Sequence, residues 1–323
     1  MIHLPGRVFE AAGYEDHLRQ ELKQNAESWG HLYYAPAPAE PVFWHQNTWL
    51  NPIKIEFDSI TEAAAALRSL GPYWAPSLFT QYRRASLIGS KLPRLPVKRR
   101  PFPWILPDTS MGAFTLLDDH TLVASPDCSS PFPGGKIEFE EDKSGPPGRA
   151  YLKLWEALVL CRKWPMPGER CLDAGASPGS WTWALSGLGA EIIALDRAPL
   201  DPKIMNLEGV QFIKHDAFTM KPEDIGPLDW LFCDVICYPR RLYEWIEKWL
   251  ASGLCRNFIC TIKMQGTVGD ESSGNEDSDE ENRKTVDFET PRLFAKIPDS
   301  KVIHLWHNKH ELTWIKIEKI NYE

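Results

Sequence analysis

A chain of 323 residues, 43% hydrophobic and 25% charged, has the composition of a soluble globular protein and is long enough to build two cores. No apolar stretch reaches the roughly 18 to 20 residues that cross a bilayer, and the start, MIHLPGRVFE, lacks a basic-then-apolar signal pattern, so a cytoplasmic protein without a membrane partner is expected. The formal net charge of -8 speaks against nucleic acid only in sum, because Gly269 to Glu281 (GDESSGNEDSDEE) holds seven acids and no base, and the remainder is nearly neutral.

The first 145 residues read as a small α+β domain with its linker. Arg7 to Ala11 suits a strand, Tyr14 to Glu27 a helix with Leu18 and Leu22 four apart, and Gly30 to Tyr34 a second strand. After a proline-rich turn, Val42 to His45 and Ile53 to Phe57 read as strands, and Ser59 is placed to cap a helix over Thr61 to Leu70. This order suggests a ferredoxin-like arrangement. A basic helix is expected from Gln81 to Arg94. Arg83, Arg84, Lys91, Arg94, Lys98, Arg99 and Arg100 gather seven cations with no acid between them, a stripe that suits RNA phosphates or is a solvated basic face. Trp74, Tyr82, Phe102 and Trp104 interleave with it and offer rings for unpaired bases, or simply core. Phe114 to Leu117 and Thr121 to Ala124 flank Asp118-Asp119-His120 as a hairpin, and the proline- and glycine-rich Pro126 to Gly148 reads as the domain linker.

From residue 146 to 323 the pattern changes to strand, turn and helix in alternation. Arg149 starts a helix with a wide apolar side on which Lys153 sits. The central stretch CLDAGASPGSWTW, from Cys171 to Trp183, is an apolar run ending in Asp173, a turn of small residues with Gly175 and Gly179 four apart, and a helix start. It is neither a GxGxxG dinucleotide loop nor a P-loop, since no Gly-Lys-Ser/Thr follows. Such a turn suits S-adenosylmethionine, which has no pyrophosphate to cradle. Asp173, Gly175, Ala176, Ser177, Pro178, Gly179, Ser180 and Trp181 are therefore candidate cofactor contacts. Strand Glu191 to Leu195 ends at Asp196, placed for ribose hydroxyls, and strand Val210 to Lys214 leads to Asp216 and Ala217, placed for an adenine edge. Either acid is otherwise a helix cap. Strand four ends at Asp234 and strand five delivers Lys263 to the same edge. The acidic segment, about 267 to 284, is too polar to fold and is expected to be a disordered insertion. A helix over Thr285 to Lys296 and a closing hairpin follow, with Glu311 entering the last strand. The seven cysteines sit mostly in apolar runs without CxxC pairs or clustered histidines and read as buried small hydrophobes, so no metal site is expected.

Lys153, Asp234, Lys263 and Glu311, together with GASPGSWT, resemble the Lys-Asp-Lys-Glu tetrad and cofactor loop of the FtsJ-like ribose 2′-O-methyltransferases. Ser130-Pro131-Phe132-Pro133, Leu152-Lys153-Leu154, Cys233-Asp234 and Cys255-Arg256 are similar to the RlmM-like branch, which methylates a cytidine of 23S ribosomal RNA. The resemblance implies a Rossmann-like class I S-adenosylmethionine-dependent domain, RNA as partner, a monomer, and a tetrad that handles the ribose hydroxyl without metal. Lys263 would act as base if neutral or as oxyanion stabiliser if charged, and the sequence leaves both open. Gly179-Ser180 stands where the family often has Gly-Gly, and about 145 residues are few for the RNA-binding module of that branch. Another RNA, such as tRNA or a cap, and a non-catalytic RNA-binding relative are the alternatives.

Overall fold

The structure, a computed structural model, describes residues 1–23, 25–36, 41–95, 97–106, 108–109, 111–264 and 287–318. The expected acidic insertion lies outside the described residues. The chain divides into two compact units, Met1–Arg100 with Leu106–Phe139, and Pro101–Ile105 with Glu140–Glu323. The Pro126 to Gly148 stretch, expected to be all linker, is thus shared between the units, and a five-residue piece near residue 101 joins the second one because Phe102 stacks on Trp155 with centroids 4.7 Å apart.

The first unit holds two sheets, not the single sheet of a ferredoxin-like domain. Its elements are β1 (Ile2–His3), β2 (Arg7–Glu10), α1 (Glu15–Leu22), β3 (Glu27–Trp29), β4 (Leu32–Ala35), β5 (Asn47–Trp49), β6 (Ile53–Glu56), α2 (Ile60–Leu70), β7 (Trp74–Pro76), α3 (Tyr82–Gly89), β8 (Gly112–Leu116) and β9 (Thr121–Ser125). One sheet has the order β1-β6-β9-β8-β7 and the other β3-β4-β2-β5. The first is covered by α2 and α3, whose Ala63, Ala64, Leu67, Ala85 and Ile88 pack on Ile53, Ile55 and Phe114, while Val8, Leu32 and Trp49 of the second sheet meet Ala113 and Val123. Ser59 does cap α2, accepting from the Glu62 amide at 3.2 Å. The helix expected through Glu27 stops at Leu22, because Lys23 turns to φ 57 and Glu27 begins a strand, and the strand expected at Val42 forms instead at Asn47.

In the second unit the alternation of apolar runs and helices produces α4 (Tyr151–Cys161), β10 (Arg170–Ala174), α5 (Ser180–Ser186), β11 (Glu191–Asp196), α6 (Pro202–Met205), β12 (Val210–Lys214), α7 (Pro222–Ile225), β13 (Leu228–Cys233), α8 (Pro239–Ser252), β14 (Cys255–Lys263), α9 (Glu289–Ala295), β15 (Ser300–Ile303) and β16 (Glu311–Lys316). The sheet order is β12-β11-β10-β13-β14-β16-β15, parallel through β14 and antiparallel at β16 and β15. This is a Rossmann-like α/β arrangement, and its strand order reverses between β10 and β13, where the crevice at the strand carboxyl ends takes ligands. Central strands such as LDWLFC are buried on both faces, as a parallel sheet covered by helices requires. No described helix is long and apolar enough to cross a membrane. Phe232 is fully buried, stacked on Trp230 and edge-on to Trp181, so Phe232→Ala is expected to cost about 3–5 kcal/mol, to be read from urea denaturation of the full chain.

Candidate active site

Four side chains from four elements meet at the carboxyl edge of the second sheet. Lys153, in the first turn of α4, donates from Nζ to Asp234 Oδ1 and to Glu311 Oε1, both at 2.8 Å. Lys263, the last residue of β14, donates to Asp234 Oδ1 at 2.6 Å and to Glu311 Oε2. The backbone explains the meeting. Lys263 and Glu311 are direct partners in the antiparallel β14–β16 pair, so their side chains leave the sheet on one face. Asp234 immediately follows β13, whose Cys233 is level with Cys260 of β14. Lys153 is only 7% exposed because α4 is buried nearly all round.

Two carboxylates and two ammonium groups balance in charge. Burial opposes ionisation of Asp234, but Lys153 and Lys263 outweigh it and hold the carboxyl below its usual range. Burial likewise favours the neutral amine of Lys263, but Asp234 and Glu311 outweigh it and push the lysine above its ordinary value. In the free site Lys263 is therefore an ammonium. Two of its three donors go to the acids, leaving one for a substrate oxygen. Thr261, two residues before Lys263 and so on the same face of β14, donates to Asp234 Oδ1 at 2.6 Å. Sequence reading missed it, although the period of two was there to be read.

A cavity of about 260 Å³ opens beside this cluster, lined by Gly175, Ser177, Asp196, Asp216 and Ala217 and shared with it through Asp234. Asp196 accepts from the amides of Ser177 at 3.0 Å and Ala198 at 2.8 Å, which fixes its carboxylate and leaves further lone pairs. Asp216 caps a short turn through the Phe218 amide at 2.9 Å. Gly175 has φ +78, and a Cβ there would lie 2.5 Å from Val235 Cγ2. A methylene fewer is what lets the two loops close the crevice.

The other loop residues do different work. Ser180 Oγ donates to Gly148 O at 3.1 Å and Trp181 Nε1 to Ala150 O at 2.9 Å, so both brace the entry to α4, and the Trp181 ring centroid lies 5.8 Å from Lys153 Nζ. Asp173 is fully buried. Its Oδ2 accepts from Thr182 at 2.6 Å, Oδ1 has no partner among the described residues, and burial, with Asp234 and Asp196 adding to it, pushes the carboxyl to about 7 against the Thr182 bond. Ala176 is buried, Pro178 O accepts from the Asp201 amide at 2.9 Å, and Gly179 at φ +116 precedes α5 against Ile204.

The basic stripe lies on the first unit. Arg83, Lys91, Arg94, Lys98, Arg99 and Arg100 are exposed, and Arg84 is half-buried over the Phe57 ring at 5.5 Å. Of the interleaved aromatics, Tyr82 is 61% exposed, whereas Trp74 is core and Phe102 is taken by Trp155, so those two are not free to stack on bases. Hydrophobic burial won there.

Residues 147–279 match the family model of the FtsJ-like methyltransferases. That segment is similar to the FtsJ-like methyltransferases. Among curated proteins, the ribosomal RNA large subunit methyltransferase M of Thauera aminoaromatica is 32% identical over 177 residues, covering 53% of this chain and 46% of that protein. The protein of that name from Xanthomonas oryzae pv. oryzae is 32% identical over 212 residues, covering 63% and 57%, and that from Azoarcus sp. 36% identical over 148 residues, covering 43% and 39%. The chain spans about half the length of the curated relatives it matches.

The lining fits S-adenosylmethionine. Asp196, Asp216 and Asp234 turn acceptors toward a cavity whose ligand would bring an ammonium, a ribose diol and an exocyclic amine, all donors. The buried Asp173 gives a check on the loop. Because its folded value, about 7, lies above the ordinary one of 3.8, the folded state holds the extra proton between them, and its contribution is greatest below pH 4 and falls as pH rises to 7. The stability of the unliganded protein relative to Asp173→Asn should decline over that window and level off above it, as followed by urea denaturation at stepped pH.

Proposed function

We propose that this chain transfers the methyl group of S-adenosylmethionine to the 2′-hydroxyl of an RNA ribose, the RNA being large-subunit ribosomal RNA and the nucleotide a cytidine. One observation carries the reading: Asp234 belongs at once to the wall of the cofactor cavity and to the Lys153, Lys263 and Glu311 cluster. A group transferred from the cavity therefore arrives where two ammonium groups are held. One chain supplies the cavity wall and all four residues, which supports a monomer, and the ribosomal substrate supports work in the cytoplasm.

The bound cofactor supplies a methyl group already activated by its sulfonium. What remains for the protein is to place a poor nucleophile in line and to meet the charge that grows on its oxygen. Lys263, kept as an ammonium by its two acids, would donate its remaining N–H to the ribose oxygen and stabilise it as the bond to the methyl carbon forms, the methyl–sulfur bond breaks with its electron pair going to sulfur, and the hydroxyl proton is released to water. Of the two roles the sequence left open, charge stabilisation is the one favoured by the raised lysine value. Lys153 pins Asp234 and Glu311, which in turn fix Lys263. The stripe from Arg83 to Arg100 is the proposed phosphate contact of the first unit.

Lys263→Ala is expected to abolish methyl transfer while leaving S-adenosylmethionine affinity within about threefold, since it lies outside the cavity wall. Near-normal turnover would refute its role. Asp196→Ala should weaken cofactor binding about tenfold or more by calorimetry, the value of hydrogen bonds to a charged group. Mapping 2′-O-methylation across total RNA of a deletion strain assigns the substrate: a lost mark on large-subunit RNA supports the proposal, and a lost mark on tRNA or a cap moves it to that RNA.

A further inference from the structure

Arg241 lies on α8, three residues into the helix, and lines the same cavity as Asp216, Ala217 and Phe218. Its guanidinium sits 4.5 Å from the Phe218 ring centroid, and Nη2 is 3.5 Å from Asp216 Oδ2. Phe218 in turn meets Trp245 edge-on, with centroids 5.4 Å apart and planes at 72°. Trp245 is buried and one helical turn beyond Arg241, so the Phe218 ring is held between two side chains of one helix face. Asp216 Oδ1 meanwhile accepts from the Phe218 amide. The carboxylate is thus gripped at one oxygen by its own turn and at the other by Arg241.

We propose that Arg241 is a positioning residue for purine recognition, orienting Asp216 so that its remaining lone pairs meet the exocyclic amino group of the cofactor's adenine. This rests on the reading that the cavity holds S-adenosylmethionine. Each carboxylate oxygen has two acceptor sites, so a hydrogen bond from the amide and an ion pair with the guanidinium leave room for the amine. A half-exposed carboxylate left to rotate would have to be ordered on binding, and a guanidinium seated over the Phe218 ring orders it beforehand. The guanidinium carries only donors and is no partner for the amine itself, so its effect on a purine amine passes through Asp216.

The test is calorimetry on the full chain with two probes, S-adenosylhomocysteine and its analogue with unsubstituted purine in place of adenine. Arg241→Ala is expected to weaken S-adenosylhomocysteine binding about three- to tenfold, in keeping with a charge pair plus a ring contact. The same variant should change binding of the analogue, which has no amine, by less than about twofold. Arg241→Lys, which keeps charge without the planar fork, should recover part of the loss. In an Asp216→Ala background, removing Arg241 should add nothing. Equal weakening of both probes, or no weakening of either, overturns the inference while leaving the cavity assignment standing. Failure of the unaltered protein to bind S-adenosylhomocysteine overturns the cavity assignment and this inference with it.

Discussion

Two lysines shared between two carboxylates, away from most solvent, set the terms for the rest of the second unit. Burying one charge is expensive, and removing a partner from a buried pair costs about 3–5 kcal/mol because the remaining charge is left uncompensated. Lys153, Asp234, Lys263 and Glu311 avoid that penalty only while α4, the end of β13, the end of β14 and the start of β16 hold their relative places. The sheet order, with β16 antiparallel beside β14, is what brings the second acid opposite the second lysine.

The loop after β10 links this cluster to the crevice by a division of labour along one stretch. Gly175 and Ser177 form cavity wall, with Ser177 bound to Asp196, while Ser180 and Trp181 face the other way and hold the start of α4. The same turn therefore shapes the space for a ligand and fixes the helix that presents Lys153. Asp173 anchors it from beneath through Thr182.

Most of the second unit could be read from the sequence, because its signals are local. Apolar runs that end in an acid or lysine locate Asp173, Asp196, Asp234 and Lys263 at strand ends, and period and length distinguish them from the helices between. What the sequence could not show were contacts set by packing across the fold: Trp181 turning to Ala150, Arg241 reaching Asp216, and Phe102 leaving the basic stretch for Trp155. The ionisation of Lys263 depends on distances to two acids, and only their closeness decided it. The first unit was harder still. Its strands are short, β5 and β7 having three residues each, and no spacing within them reveals that they divide between two sheets.

The partners of Lys153 lie 81 and 158 positions further along the chain. Every residue lining the cavity falls between Gly175 and Arg241, so the crevice is synthesised in full before the acid that completes the cluster leaves the ribosome. Without Glu311 the two lysines would share the single carboxylate of Asp234, and that edge of the sheet would carry surplus positive charge. Pairing of the last hairpin removes the surplus. Charge balance at the site thus depends on the pairing of β16 with β14, the strand that stands last in the described sequence.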